Sequence, residues 1–118
     1  MLLQRKFFLI IVVVLINVCI TSLSEAQVIY STNYPSDANV KVYVSKYKSD
    51  ADLVVYNTQY KSDAVDNNGV WYFTQHSSDA KKKIYFTTYK SDANLIIYFT
   101  EYKSDAGWAN KSKQHLMY

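Results

Sequence analysis

Tyr47-Lys48-Ser49-Asp50-Ala51 is the stretch that decides how this chain is read. It returns at 60–64, 89–93 and 102–106 and, altered, at 34–38 and 76–80. Its Asp falls at 37, 50, 63, 79, 92 and 105, so the spacings run 13, 13, 16, 13 and 13. A block made six times at near-constant spacing is one small structural unit repeated, and that outweighs any propensity argument. Every polar residue of the block recurs with it. None stands out as a site.

Counting back from each Asp exposes regular columns. Seven residues earlier stand Tyr30, Tyr43, Tyr56, Tyr72, Tyr85 and Tyr98. Eight earlier the residue is always apolar: Ile29, Val42, Val55, Trp71, Ile84, Ile97. Five earlier it is Thr or Ser, and three earlier it is Tyr except at His76. The segment before each turn is rich in Val, Ile, Tyr, Thr and Phe, which is strand composition. Alternation gives it two faces: Leu95, Ile97 and Phe99 against Ile96, Tyr98, Thr100 and Tyr102. Ser-Asp-Ala then ends each strand, because short Ser and Asp side chains can bond nearby backbone amides and make a turn without Gly. The fold class expected is all-β, with Asp37, Asp50, Asp63, Asp79, Asp92 and Asp105 as turn residues.

A second period lies inside the first. Nine residues before the Asp the series reads Val28, Lys41, Val54 and then Val70, Lys83, Ile96. Units one to three therefore match units four to six at an offset of 42 residues, from Asp37 to Asp79. The three extra residues fall in Asp66-Asn67-Asn68-Gly69, a turn-forming linker. A doubled triplet suits two laps of a ring, with unit one beside four, two beside five and three beside six. A six-strand up-and-down barrel and two stacked three-strand sheets remain as alternatives. Thirteen residues is short for a coil of a standard parallel β-helix.

On the blocks at 34–38, 47–51, 60–64, 76–80, 89–93 and 102–106 the chain resembles the septoil-knot domain, a small secreted or cell-surface bacterial type. The likeness covers roughly residues 27–106. It implies a small β ring of two intertwined laps whose backbone forms a seven-crossing torus knot. That topology is what the resemblance implies; knots are almost absent among proteins, and spacing alone does not call for one.

Residues 1–26 read as a cleaved secretory signal peptide. Arg5 and Lys6 precede an apolar run from Phe7 to Ile16, and Ser24-Glu25-Ala26 offers small residues before the cut. The run is too short for a membrane span of roughly 20 residues. Val18 before Cys19 argues against a lipoprotein cysteine. The mature chain, from Gln27, then holds no cysteine and so no disulfide or thiolate. It carries 11 Lys, no Arg and 9 acidic residues. Without guanidinium groups a nucleic-acid reader is disfavoured despite Lys81-Lys82-Lys83. The expected compartment is secreted, periplasmic or cell-envelope, and the expected state a monomer with no membrane contact after cleavage.

No catalytic constellation, phosphate loop or His-x-x-x-His metal pair is present in the sequence. The six Asp invite a hard cation, which wants several oxygen ligands, but all six sit where a turn wants Asp. No metal or cofactor is expected. His76 breaks a sixfold pattern, and His115 lies in a polar tail, 107–118, expected to be frayed or weakly docked. Asn110-Lys111-Ser112 is a glycosylation sequon by pattern only. The remaining binding feature is aromatic: Tyr56, Tyr60, Tyr98, Tyr102, Trp71 and Trp108, since rings with a polar tip suit sugars and wet interfaces. The expectation is a non-enzymatic, robust exported domain, with a glycan- or envelope-protein-binding module as the other reading.

Overall fold

The computed structural model describes residues 26–118. The leader expected over residues 1–26 lies, but for Ala26, outside the described residues, and Cys19 with it. Six strands follow the six units: β1 (Val28–Ser31), β2 (Val40–Val44), β3 (Leu53–Asn57), β4 (Val70–Phe73), β5 (Lys82–Phe86) and β6 (Leu95–Thr100). Each is followed by a single 3₁₀ turn that ends on the repeat Asp, such as Lys48–Asp50 or Lys103–Asp105. A seventh strand, β7 (Gly107–Trp108), and a 3₁₀ helix, Lys111–Met117, complete the chain.

The strands close into one ring in the order β4-β1-β5-β2-β6-β3, with β3 pairing back to β4. All six pairings are parallel. Strands of the first lap never pair with one another; each lies between two strands of the second. The expected neighbours are there: β1 beside β4, β2 beside β5, β3 beside β6. The register, however, sets Val28 against Tyr72, Lys41 against Tyr85 and Val54 against Tyr98. Equivalent positions are thus displaced by two residues at every seam rather than level. A closed barrel of tilted strands requires such a stagger. Because the step is even, inward positions stay inward all the way round.

That parity explains the core. The six residues at the position eight before the Asp, Ile29, Val42, Val55, Trp71, Ile84 and Ile97, are all fully buried inside the ring. Leu53, Leu95 and Val40 extend the packing toward the ends where the strands start. At the opposite mouth Phe73, Phe86 and Phe99, all from the second lap, form a chain with Trp71 at ring separations of 6.0, 6.4 and 6.5 Å. The first lap offers Ser31, Val44 and Asn57 at the same position. This size alternation lets three large rings share a narrow mouth. The phenylalanine column was present in the sequence as a lap difference and is the plainest signal that sequence reading passed over.

Each connection that skips a place round the ring crosses the strand in between, and a second column clasps it there. Asn39 gives its backbone amide to Lys83 O at 2.7 Å and accepts the Lys83 amide on Oδ1 at 2.9 Å. Asn94 does the same to Lys41, and Asp52 to Ile96. A side-chain oxygen here supplies the ladder acceptor that the strand, just beginning, does not yet provide. Lys81 keeps the backbone half of the clasp, to Val28 O at 2.8 Å.

The tail corrects the expectation of fraying. β7 adds antiparallel to β3, Leu53 against Trp108 and Val54 against Gly107, on the stretch of β3 that precedes its pairing with β4. Gly69, at φ +90, makes the junction possible: a Cβ there would stand 2.4 Å from Val54 O. Trp108 Nε1 donates to Asn67 O at 3.0 Å, and Met117 is fully buried in the core. The helix plugs the end of the barrel where β1, β3 and β4 begin. Polar composition concealed this because the burial rests on two residues, Leu116 and Met117, too few for a periodic signal.

A belt of turns as the candidate functional surface

The turns are held by a different group from the one expected. In all six, the Thr or Ser five residues before the Asp accepts the amide of the residue two positions on, from Tyr34 to Tyr102, at 3.1–3.3 Å. Among the described residues no turn Asp accepts a backbone amide with its carboxylate. The Asp backbone N–H instead closes the 3₁₀ turn onto the carbonyl three residues back, at 3.0–3.2 Å. The carboxylates point elsewhere. Asp63 Oδ2 accepts from Thr58 Oγ1 at 3.2 Å, and Asp105 Oδ2 from Thr100 Oγ1 at 3.5 Å. Thr32, Ser45 and Thr58 are buried and Thr74, Thr87 and Thr100 half-buried, and at every one the hydroxyl takes the structural role because it can accept and donate at once.

Side chains link two pairs of neighbouring turns. Lys103 Nζ lies 3.7 Å from Asp63 and Lys90 Nζ 4.0 Å from Asp50, so each Lys pairs with the Asp of a neighbouring turn rather than its own. These pairs are exposed and worth little, about 0–1 kcal/mol each. Among the described residues no group of three or more His, Cys, Asp or Glu is placed to hold a metal ion.

Between neighbouring turns lie grooves of one design. One of 480 Å³ is lined by Tyr72, Thr74, Gln75, His76 and Asp79, with Lys61 of the adjacent turn. A smaller one, of 180 Å³, is lined by Tyr30, Thr32, Asn33, Tyr34 and Asp37, with Ser77 from the adjacent turn. The larger groove is the one beside His76, where the imidazole replaces the tyrosine of the other units.

The aromatic candidates divide sharply. Trp71 is completely buried and cannot belong to a binding face; its position is a core position. Trp108 is half-buried and bonded to Asn67. Tyr56 and Tyr98 are half-buried on the outer wall. Tyr60 and Tyr102 are 68% and 66% exposed, and Tyr34, Tyr47 and Tyr89 join them at 66%, 67% and 69%. The structure therefore brings five equivalent tyrosines and His76 into a belt around the barrel. Alternation predicted the outward face; only the turn geometry separated the exposed column from the half-covered one.

Parallel strands in two interleaved laps, joined by clasped crossings, are the decisive observation. Residues 26–109 match the 7(1) septoil knot domain. The chain belongs to that family. No curated protein and no solved structure matches it. In this septoil-knot domain the matched range ends just after β7, so the closing seam lies inside it and the plugging helix beyond it.

The most strongly held carboxylate of the domain is Asp52, on the crossing into β3. Burial by itself would raise its pKa. The Ile96 amide, the Lys113 ammonium at 3.2 Å and the Asn110 amide together outweigh that and hold it below the ordinary Asp range. Asp52 O also accepts the amides of Ala109 and Asn110, so one residue ties a crossing, a strand and the tail. Its role is architectural.

Proposed function

We propose that this septoil-knot domain is an exported, non-enzymatic scaffold whose service is to stay folded under mechanical or proteolytic load. The observation that carries the reading is the alternation of laps. Every barrel strand is bonded on both sides, and every seam but β3–β4 joins strands that are not consecutive in the chain. No barrel strand therefore peels off without breaking two seams, and ring closure leaves only the two-residue β7 at a sheet edge among the described strands. Proteolysis of a native chain requires local opening. Exposed lysines in the turns, at 48, 61, 90 and 103, offer trypsin sites in the least protected backbone. Trypsin digestion in native buffer, followed by mass, is expected to leave the 27–118 body intact for as long as globally unfolded molecules stay rare. Rapid cutting at those lysines without loss of strand signal elsewhere would reject the scaffold reading.

A second reading is favoured by one specific observation, the belt of five tyrosines each about two-thirds exposed. Large rings at equivalent exposed positions suit a glycan or envelope-protein surface. A glycan array with the mature protein and with Tyr60→Ala and Tyr102→Ala tests it. Reproducible binding that the substitutions abolish supports the module; no binding to any glycan removes sugars as its ligand.

A further inference from the structure

Gln27, the residue directly before β1, is fully buried. Its backbone N–H donates to Ala64 O at 2.6 Å, its Nε2 donates to Met117 O at 3.2 Å, and its Oε1 has no partner. The sequence places a cleavage site directly before it. A chain that begins at Gln27 replaces that single N–H with an α-ammonium carrying three protons, charged below pH about 8. The acceptor in front of it is one neutral carbonyl. A charge buried without a counter-charge is strongly unfavourable.

We propose that Gln27, once cleavage has made it the first residue, closes to pyroglutamate, and that the folded barrel accommodates the closed form. The α-amine nitrogen attacks Cδ of its own side chain. The lactam C–N bond forms, the Cδ–Nε2 bond breaks, and Nε2 leaves as ammonia with a proton taken from the amine. Nothing is oxidised or reduced and no co-reactant is consumed. The product is neutral and retains one N–H, the number that Ala64 O takes. The bond to Met117 O is forgone.

The inference rests on the exported, cleaved reading, and one experiment separates the two. The full chain is expressed in a bacterium that exports it, recovered outside the cytoplasm, and examined by intact mass, tandem mass spectrometry and stepwise N-terminal degradation. The expected product starts at Gln27, is lighter than residues 27–118 by one ammonia, and is blocked to degradation. A Gln27→Asn chain, too short by one methylene to close the same five-membered ring, should start at the same position and degrade normally. Exported protein with a free amine on Gln27 overturns the proposal. A start elsewhere overturns the cleavage reading beneath it.

Discussion

At the scale of single residues, the repeat is a division of labour between a hydroxyl and a carboxylate. Thr58 is buried, accepts the Tyr60 amide and donates to Asp63. Thr58→Val keeps the shape but strands that amide, at a cost of about 1–3 kcal/mol. Asp105→Ala removes an exposed acceptor from a long bond and should cost clearly less. Chemical denaturation of the two variants checks the order. Asp52 makes a pH prediction. Its folded pKa is lowered, so its contribution to stability is complete above the unfolded value, about pH 4, and is lost as pH falls from there through the folded value. Asp52→Asn should therefore lower stability near neutrality and flatten the loss on acidification. Melting temperatures measured from pH 7 down to pH 2 show whether the two curves converge in acid, as they should.

At the scale of elements, the short 3₁₀ helix Lys111–Met117 closes an end of the barrel through Met117, with Asn67, Gln114 and Gln27 bonding around it. Met117→Ala opens a cavity in the core cluster and should cost about 2–5 kcal/mol. Truncation after Ala109 removes the Lys113 and Asn110 contacts to Asp52 as well, so its effect should exceed that of the point variant. Thermal unfolding of both, followed by far-UV dichroism, checks this. Equal stability of the truncated and full chains would mean that the helix is an ornament on the barrel.

At the scale of the whole molecule, interleaving makes each lap dependent on the other. No pairing joins β1, β2 and β3 among themselves. A peptide of residues 27–66 therefore contains three strand sequences and not one native strand pair. It should show neither strand dichroism nor cooperative unfolding. Mixing it with residues 67–118 is the informative complement, since every seam joins one fragment to the other. A cooperative fold in the isolated half would refute the two-lap architecture as the source of stability. The same dependence predicts slow folding, because five of the six barrel seams pair residues 44 or 53 positions apart, and those long loops must close before the seams reward them.

Columns fixed by alternation were legible in the sequence: the apolar residues eight before each Asp are the barrel core, and lap-related units are neighbours. The period-two geometry of a strand makes that inference independent of where the strand lies. Three matters belonged to tertiary structure. The two-residue stagger at each seam follows from closing a tilted barrel, which no single strand records. How far each outward tyrosine column is covered depends on where the strand gives way to its turn, so Tyr56, inside β3, is half-buried while Tyr60, opening the 3₁₀ turn, is exposed. Trp71 was misplaced on a binding face for a related reason: an aromatic ring suits core and surface alike, and its column, not its chemistry, decided. The docking of Met117 rests on a partner surface that exists only once three strand ends have come together.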